Sequence, residues 1–230
     1  MDPYQSMTNP VWTSLTTFHA DLALRRGRAA SYPLDVARFL GFPDVPSAED
    51  WQDAAALPGD GSAVFHVSDK PMTSFPPGWD VLARREALQM IAPVHFGHLD
   101  DDVELLDVGD IADMQALAAD AGPAISFRPR ALELGDFYGI RDGDSVVAMG
   151  GSRFRGPGWV ELSGGCVRAD RRGRGLGRRL LSHRAAMAAA RDELATLLVF
   201  TDNPARHLFT HLGWRTYRTM YGTLLNPTEP

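Results

Sequence analysis

One junction constrains the fold of this chain more than any other stretch. A strand-like run, Trp159–Val167, is followed by Arg172-Gly173-Arg174-Gly175-Leu176-Gly177 and then by a helical run in which Leu176, Leu180, Leu181, Met187 and Ala188 recur at helical spacing. The first N–H groups of a helix have no partner inside it and carry partial positive charge. Glycines at such a point let the backbone approach an anion without a side chain in the way. Arginines at 168, 171, 172, 174, 178 and 179 surround the turn and add what the sequence suggests is mobile positive charge. A strand, a glycine turn and a helix start in this order form a cradle for a polyphosphate.

The rest of the chain supports a small anionic ligand and argues against a nucleic acid. Its net charge is −6, whereas nucleic-acid binding calls for a broad basic face. Basic charge is almost all arginine, with Lys70 the only lysine, a bias typical of GC-rich bacterial genomes. The single cysteine, Cys166, excludes an internal disulfide and a cysteine-based zinc site. No apolar run is long enough to span a bilayer, and the first residues lack the basic start and apolar core of a signal peptide. The expectations are a cytoplasmic location, no membrane, no nucleic acid and no metal; a homodimer is compatible with the sequence.

Two regions differ in legibility. From Trp12 to Gly59 short helical patterns are broken by Gly27, Pro33, Gly41 and Pro43, with Leu15, Phe18 and Leu22 on one face, and Ser47 with Asp50 resembles a capping box. Strands are expected at 63–67, 81–82 and 87–91. From about residue 101 the order is clear: a strand at 103–108, a helix at 111–119, a hairpin around Asp142-Gly143-Asp144, the strand Trp159–Val167, the glycine turn and its helix. A buried strand at 194–201, a short helix at 204–212 and a last strand at 214–221 complete it. The expected division is a supporting subdomain, 1–100, and a second domain, 101–230.

Over roughly residues 101–222 the chain resembles the GNAT superfamily of acyl-CoA-dependent N-acetyltransferases. Its acetyl-CoA motif, Arg/Gln-x-x-Gly-x-Gly/Ala behind a strand ending Val-x-Pro, is matched by Arg172–Gly177 behind Val167-Arg168-Ala169. Thr201-Asp202-Asn203 and Leu212-Gly213-Trp214 resemble the family's later Asn and Leu-Gly-Phe features, and Phe127-Arg128-Pro129-Arg130 through Gly151 resembles a bacterial two-domain subgroup. The resemblance implies an α/β fold with a mixed, mostly antiparallel central sheet flanked by helices, behind an N-terminal α/β subdomain. Three departures stand out. Ala169 replaces a proline, which should loosen the loop entry; Asn203 lies one residue closer to Gly213 than is common, so that Asp202 can hold its register; and Phe209 stands where many members carry a tyrosine that protonates the departing thiolate.

The implied reaction moves acetyl from acetyl-CoA, a co-substrate, to a primary amine of a small molecule or peptide by direct attack. By resemblance, main-chain groups of Gly165, Cys166 and Val167 pair with the pantetheine arm, and amides of Arg172, Gly173, Arg174, Gly175, Leu176 and Gly177 hold the pyrophosphate. Asn203 bonds the pantetheine and Phe209 packs near the thioester. Glu161 is the candidate base, on the alternating face of Ser163 and Gly165; the alternative is a solvated carboxylate on an exposed sheet face. Tyr217, Tyr221 or a water could serve the thiolate. Ser163 reads as a structural hydrogen bonder and Cys166 as packing rather than a nucleophile. His207 and His211 are one helical turn apart with no visible third metal ligand. The rival function is a CoA-binding module without turnover, regulatory or structural. A dinucleotide-binding oxidoreductase fits poorly, because its glycine loop belongs near the start of the fold.

Overall fold

The computed structural model describes residues 3–57, 61–122 and 127–228; residues 58–60, at the end of the stretch with short helical patterns, lie outside these. In chain order the elements are helices α1 (Pro3–Ser6) and α2 (Pro10–Thr16), strands β1 (Leu24–Arg26), β2 (Ala29–Ser31) and β3 (Leu40–Gly41), helix α3 (Ala48–Ala55), strands β4 (Val64–Ser68), β5 (Trp79–Ile91) and β6 (Val103–Leu106), helix α4 (Ile111–Ala121), strands β7 (Phe137–Asp142), β8 (Ser145–Gly156) and β9 (Trp159–Val167), helix α5 (Leu176–Ala189), strand β10 (Leu194–Phe200), helix α6 (Ala205–His211) and strand β11 (Arg215–Pro227). The class is α/β, with mostly antiparallel pairing and flanking helices, as the family resemblance implies. No described helix is long and apolar enough to cross a membrane.

The compact units are interleaved along the chain. One comprises residues up to Met90, Arg155–Pro157 and residues from Leu198 onward; the other comprises Ile91–Phe154 and Gly158–Leu197. They cut across a boundary at residue 100 because β11 pairs antiparallel with β4, from Tyr221↔Ser68 to Leu225↔Val64, which places the end of the chain with its beginning.

In the first unit, strands β1, β2 and β3 form a small antiparallel sheet where short helices were expected. Gly27, at φ +50°, turns β1 into β2, and a Cβ on Gly41 would press on the backbone of Trp12. Helix α2 stops at Thr16, so Leu15, Phe18 and Leu22 do not share a buried helical face: Leu15 is fully buried and Phe18 is 52% exposed. The threonines explain the early stop. Thr16 and Thr17 hydroxyls donate back to the Trp12 and Thr13 carbonyls at 2.7 and 2.6 Å, a competing arrangement that weakens helix continuation. The capping box of α3 forms as expected: Asp50 N–H donates to Ser47 Oγ at 3.2 Å, and Ser47 N–H to Asp50 Oδ2 at 2.6 Å. Behind it Phe42, Trp51, Phe75 and Trp79 make an aromatic core, with ring centroids 4.5 to 5.7 Å apart. Each ring removed from water contributes on the order of 2 kcal/mol.

The second unit is ordered β10-β9-β8-β7-β6. The expected hairpin forms, with Asp142↔Ser145 closing a two-residue loop in which Gly143 takes φ +63°. Two clusters flank these strands. Leu106, Met114, Leu117, Phe137, Met149 and Cys166 pack with α4, whereas Val103, Tyr138, Ile140, Ala148 and Leu180 pack with α5. Strands β9 and β10 are parallel, which requires a crossover, and α5 supplies it.

Buried His66 in β4 has its ring 5.5 Å from that of Phe42 and its Nδ1 3.2 Å from the Leu40 carbonyl oxygen. Burial pushes its pKa from 6.5 down to about 4. Because the unfolded chain takes up this proton first, stability is full above pH 6.5 and falls as pH drops towards 4, by about 1.4 kcal/mol per pH unit. Urea unfolding at pH 7 and pH 4.5 should show this loss, and His66→Gln should remove about 2 kcal/mol of the difference. An equal loss in the variant would contradict the assignment.

Candidate functional site

Strand β9 ends at Val167, a single 3-10 turn occupies Ala169–Arg171, and α5 begins at Leu176 behind Gly175. Gly173 and Gly175 take φ +75° and +79°. A Cβ on either would meet nothing within 4 Å, so glycine is required by the left-handed backbone and not by crowding. No side chain caps α5. No side chain takes up the N–H groups of its first turn, which leaves them as donors for an anion. The entry to the loop is pinned where a loosened one was expected: Ala169 N–H donates to Asp120 of α4 at 2.9 Å, a bond that a proline could not make.

Four of the six arginines are engaged, three of them in ion pairs. Arg168 pairs with Asp170 at 2.7 Å, Arg171 with Asp142, and Arg179 with Asp100 at 2.6 Å and with Asp102. Arg172 donates from Nε to the Val167 carbonyl at 3.1 Å and closes the loop on itself. Among the described residues, Arg174 and Arg178 make no ion pair and remain available to an anion. A cavity of about 500 Å³ opens beside the loop, lined by Arg141, Arg171, Arg174, Arg179, Asp102 and Leu176 among others.

The parallel ladder of β9 and β10 runs only from Trp159↔Leu194 to Glu161↔Thr196. Beyond it β9 continues through Gly164, which takes φ +63°, to Gly165, Cys166 and Val167. Side-chain parity shows a one-residue bulge there. Met149 of β8 and Cys166 share the α4 cluster, and Arg153, four residues on from Met149, grips Glu161. Cys166 and Glu161 are separated by an odd interval, so they share a face only if one extra residue interrupts the alternation. Glu161 is therefore not on the face of Gly165, contrary to the alternation expected.

Nor is Glu161 solvated. It is 2% exposed, and Arg153 donates to both of its oxygens, Nε at 2.9 Å and Nη2 at 2.6 Å. Cys166 is buried and its thiol is pushed up to about 12 by desolvation, which fits packing and not nucleophilic chemistry. Ser163 offers its carbonyl to Arg184 at 2.8 Å. Neither Arg153 nor Arg184 stands out in the sequence. One signal for Arg184 was present: it falls four residues from Leu180 and from Ala188, on the apolar stripe of α5.

Asn203 and Phe209 belong to the first unit, whereas the loop and β9 belong to the second. Asn203 Oδ1 accepts from Ala205 N–H at 2.9 Å and so steadies the start of α6. Asp202 is held by Arg85 at 2.7 Å, whose guanidinium lies 3.7 Å from the Phe200 ring centre. Phe209 lies 6.4 Å from the Trp214 ring, and Tyr217 lies 5.1 Å from Tyr4. Among the described residues no group of three or more His, Cys, Asp or Glu is placed to hold a metal.

A family model described as FR47-like protein matches residues 137–222. No curated protein sequence matches the chain. A solved structure of a GNAT-family protein from Novosphingobium aromaticivorans is 31% identical, with a TM-score of 0.85, covering 97% of this chain and 99% of that one. A GCN5-related N-acetyltransferase from Kribbella flavida shares the fold at 17% identity, with a TM-score of 0.60 and 95% of each chain covered. With a relative of that identity matched along nearly its whole length, the chain belongs to the GNAT family of acetyltransferases.

Proposed function

We propose that the protein transfers acetyl from acetyl-CoA to a primary amine of a small molecule or peptide. The observation that carries this reading is the uncapped start of α5, reached through Gly173 and Gly175 in left-handed conformations at the end of β9. Amides of Arg172–Gly177 are the proposed seat of the diphosphate, with Arg174 and Arg178 as its free cations. Main-chain groups of Gly165, Cys166 and Val167 are the proposed partners of the pantetheine, which would lie against β9 as an added strand. Asn203 is a proposed pantetheine contact, its amide nitrogen the donor since its oxygen serves α6, and Phe209 is a proposed neighbour of the thioester.

In the proposed reaction the amine nitrogen attacks the thioester carbon, a C–N bond forms, and the C–S bond breaks to release CoA thiolate. A main-chain N–H of β9 stabilises the oxygen as charge develops on it. Glu161 is the proposed base, under a condition set by Arg153. Both carboxylate oxygens are engaged, so an incoming ammonium must displace one guanidinium contact. Such an exchange substitutes one cationic donor for another and keeps the buried charge compensated until Glu161 accepts a proton from the ammonium, which leaves a neutral amine to attack.

A second reading, CoA binding without turnover, is favoured by one residue: Phe209 has no proton for the thiolate. Thiol release from acetyl-CoA over a panel of primary amines separates the two, provided that CoA binding is established first by calorimetry. Release with any amine supports transfer; binding without release across the panel supports the silent module.

Gly175→Val should weaken CoA binding by about 100-fold or more. The left-handed conformation costs a β-branched residue about 2 kcal/mol, and the relaxed backbone turns its amides from the anion. Calorimetry with CoA checks this, and unaltered affinity would place the diphosphate elsewhere. Glu161→Gln should lower turnover about 10- to 100-fold at neutral pH with CoA affinity unchanged; full turnover would remove Glu161 as the base. In the opposite direction, Arg153→Met leaves Glu161 buried without its counter-ion and should cost about 3 kcal/mol in urea unfolding. Adding Glu161→Leu to it should recover most of that loss.

A further inference from the structure

Arg184 is a charged side chain buried in α5, 5% exposed; it makes no ion pair among the described residues, and the nearby Glu161 carboxylate favours its charged form. Burial pushes its pKa down to about 10, so it stays cationic at neutral pH. Its Nη2 donates to two main-chain carbonyls, that of Gly151 in β8 and that of Ser163 in β9, the latter at 2.8 Å. Glycines make room for it: a Cβ on Gly150 would collide with its Nη1 and lie 2.8 Å from its Cζ, and a Cβ on Gly165 would lie 3.6 Å from Nη1. A buried cation seated under glycines in two strands has a specific consequence for the bulge of β9. The described chain has no cis peptide, so the Ser163 carbonyl and the Gly164 N–H point in opposite directions. With the carbonyl fixed on the guanidinium, the Gly164 N–H faces away from Arg184. It does so in the part of β9 that lies past the ladder with β10.

We infer that Arg184 is a positioning residue for acyl transfer: by holding the Ser163 and Gly151 carbonyls it locks the Ser163–Gly164 peptide at the bulge and polarises its N–H as the donor to the thioester oxygen. This rests on the acetyl-transfer reading of the preceding subsection. A charge-assisted bond to one end of a peptide group strengthens the donor at the other end, and a fixed donor costs no reorganisation when charge develops on the oxygen. The purely architectural role, satisfying two carbonyls freed by the bulge, predicts the same fold but no effect on a bound thioester.

Infrared difference spectra of acetyl-CoA labelled with 13C at the thioester carbonyl distinguish these and need no amine. On binding to the wild-type protein the carbonyl stretch should move to lower frequency. Arg184→Lys, whose ammonium is a point donor and not a fork, should lose about half of that shift or more, with acetyl-CoA affinity within about threefold of wild type. Gly150→Ala, which keeps Arg184 but displaces its guanidinium, should lose a comparable share and decides the matter if the Arg184→Lys protein does not fold. A full shift in either folded variant overturns the inference and leaves acetyl transfer standing. Failure of the wild-type protein to bind acetyl-CoA overturns both.

Discussion

A parallel pair of strands cannot be joined by a tight turn, and that constraint organises the second unit. Strand β9 must leave the sheet, cross over through α5, and return as β10 beside itself. The connection from the strand end to the first helical residue is the segment 168–175, and it accomplishes the reversal with a 3-10 turn and two left-handed glycines. A consequence is that the head of α5 stands at the end of β9 without a side chain to cap it. The proposed anion site is thus what remains when a crossover helix starts this way and its first amides have no side-chain cap. It needs no further device beyond the free arginines nearby.

The charges around this site divide into two groups with different work to do. Arg168, Arg171 and Arg179 are bound to aspartates, and these pairs fix the loop and the start of α5. They are partly exposed, and each adds no more than about 1 kcal/mol to stability, so their value lies in geometry. Arg174 and Arg178 stand outside the pairs and can answer a ligand. In the proposed site, two arginines left outside the ion pairs serve an anionic ligand on a net negative protein without a broad basic surface. The same division appears deeper in the unit. Arg153 and Glu161 neutralise each other, whereas Arg184 directs its charge at main-chain carbonyls.

The loop and its flanking elements were legible because their signals are local. Glycine spacing, the apolar stripe of α5 and the Asp142-Gly143-Asp144 turn each act over a few residues, and β9 and the β7–β8 turn appear where the sequence put them. What the sequence hid depends on partners far along the chain. The pairing of β11 with β4 joins residues more than a hundred positions apart and has no local trace. The small sheet of β1, β2 and β3 was obscured by apolar spacings that also suit a helix. At the site, strict alternation placed Glu161 on the wrong face, because one left-handed glycine at 164 shifts the register of everything before it. The arginine that holds Glu161 lies on a neighbouring strand, a contact no spacing rule within β9 could supply.

Phe209 sharpens the question of how CoA departs. By resemblance that place belongs to a tyrosine that protonates the thiolate, and a phenyl ring has no proton to give. A thiol with a reference pKa of about 8.5 is a tolerable leaving group near neutrality, far better than an alkoxide. The harder requirement then falls earlier, on the thioester carbonyl, whose oxygen must carry charge before the C–S bond breaks. A fold that forgoes the proton donor has reason to invest in the oxyanion side. The glycine-lined seat of Arg184, with its cation spent on the peptide that bears the Gly164 N–H, is an investment of that kind. Glu161, compensated by Arg153, is the proposed counterpart on the amine side. On this view the departing sulfur is served by its own acidity, and the protein's buried charges are reserved for the two atoms that cannot manage without them.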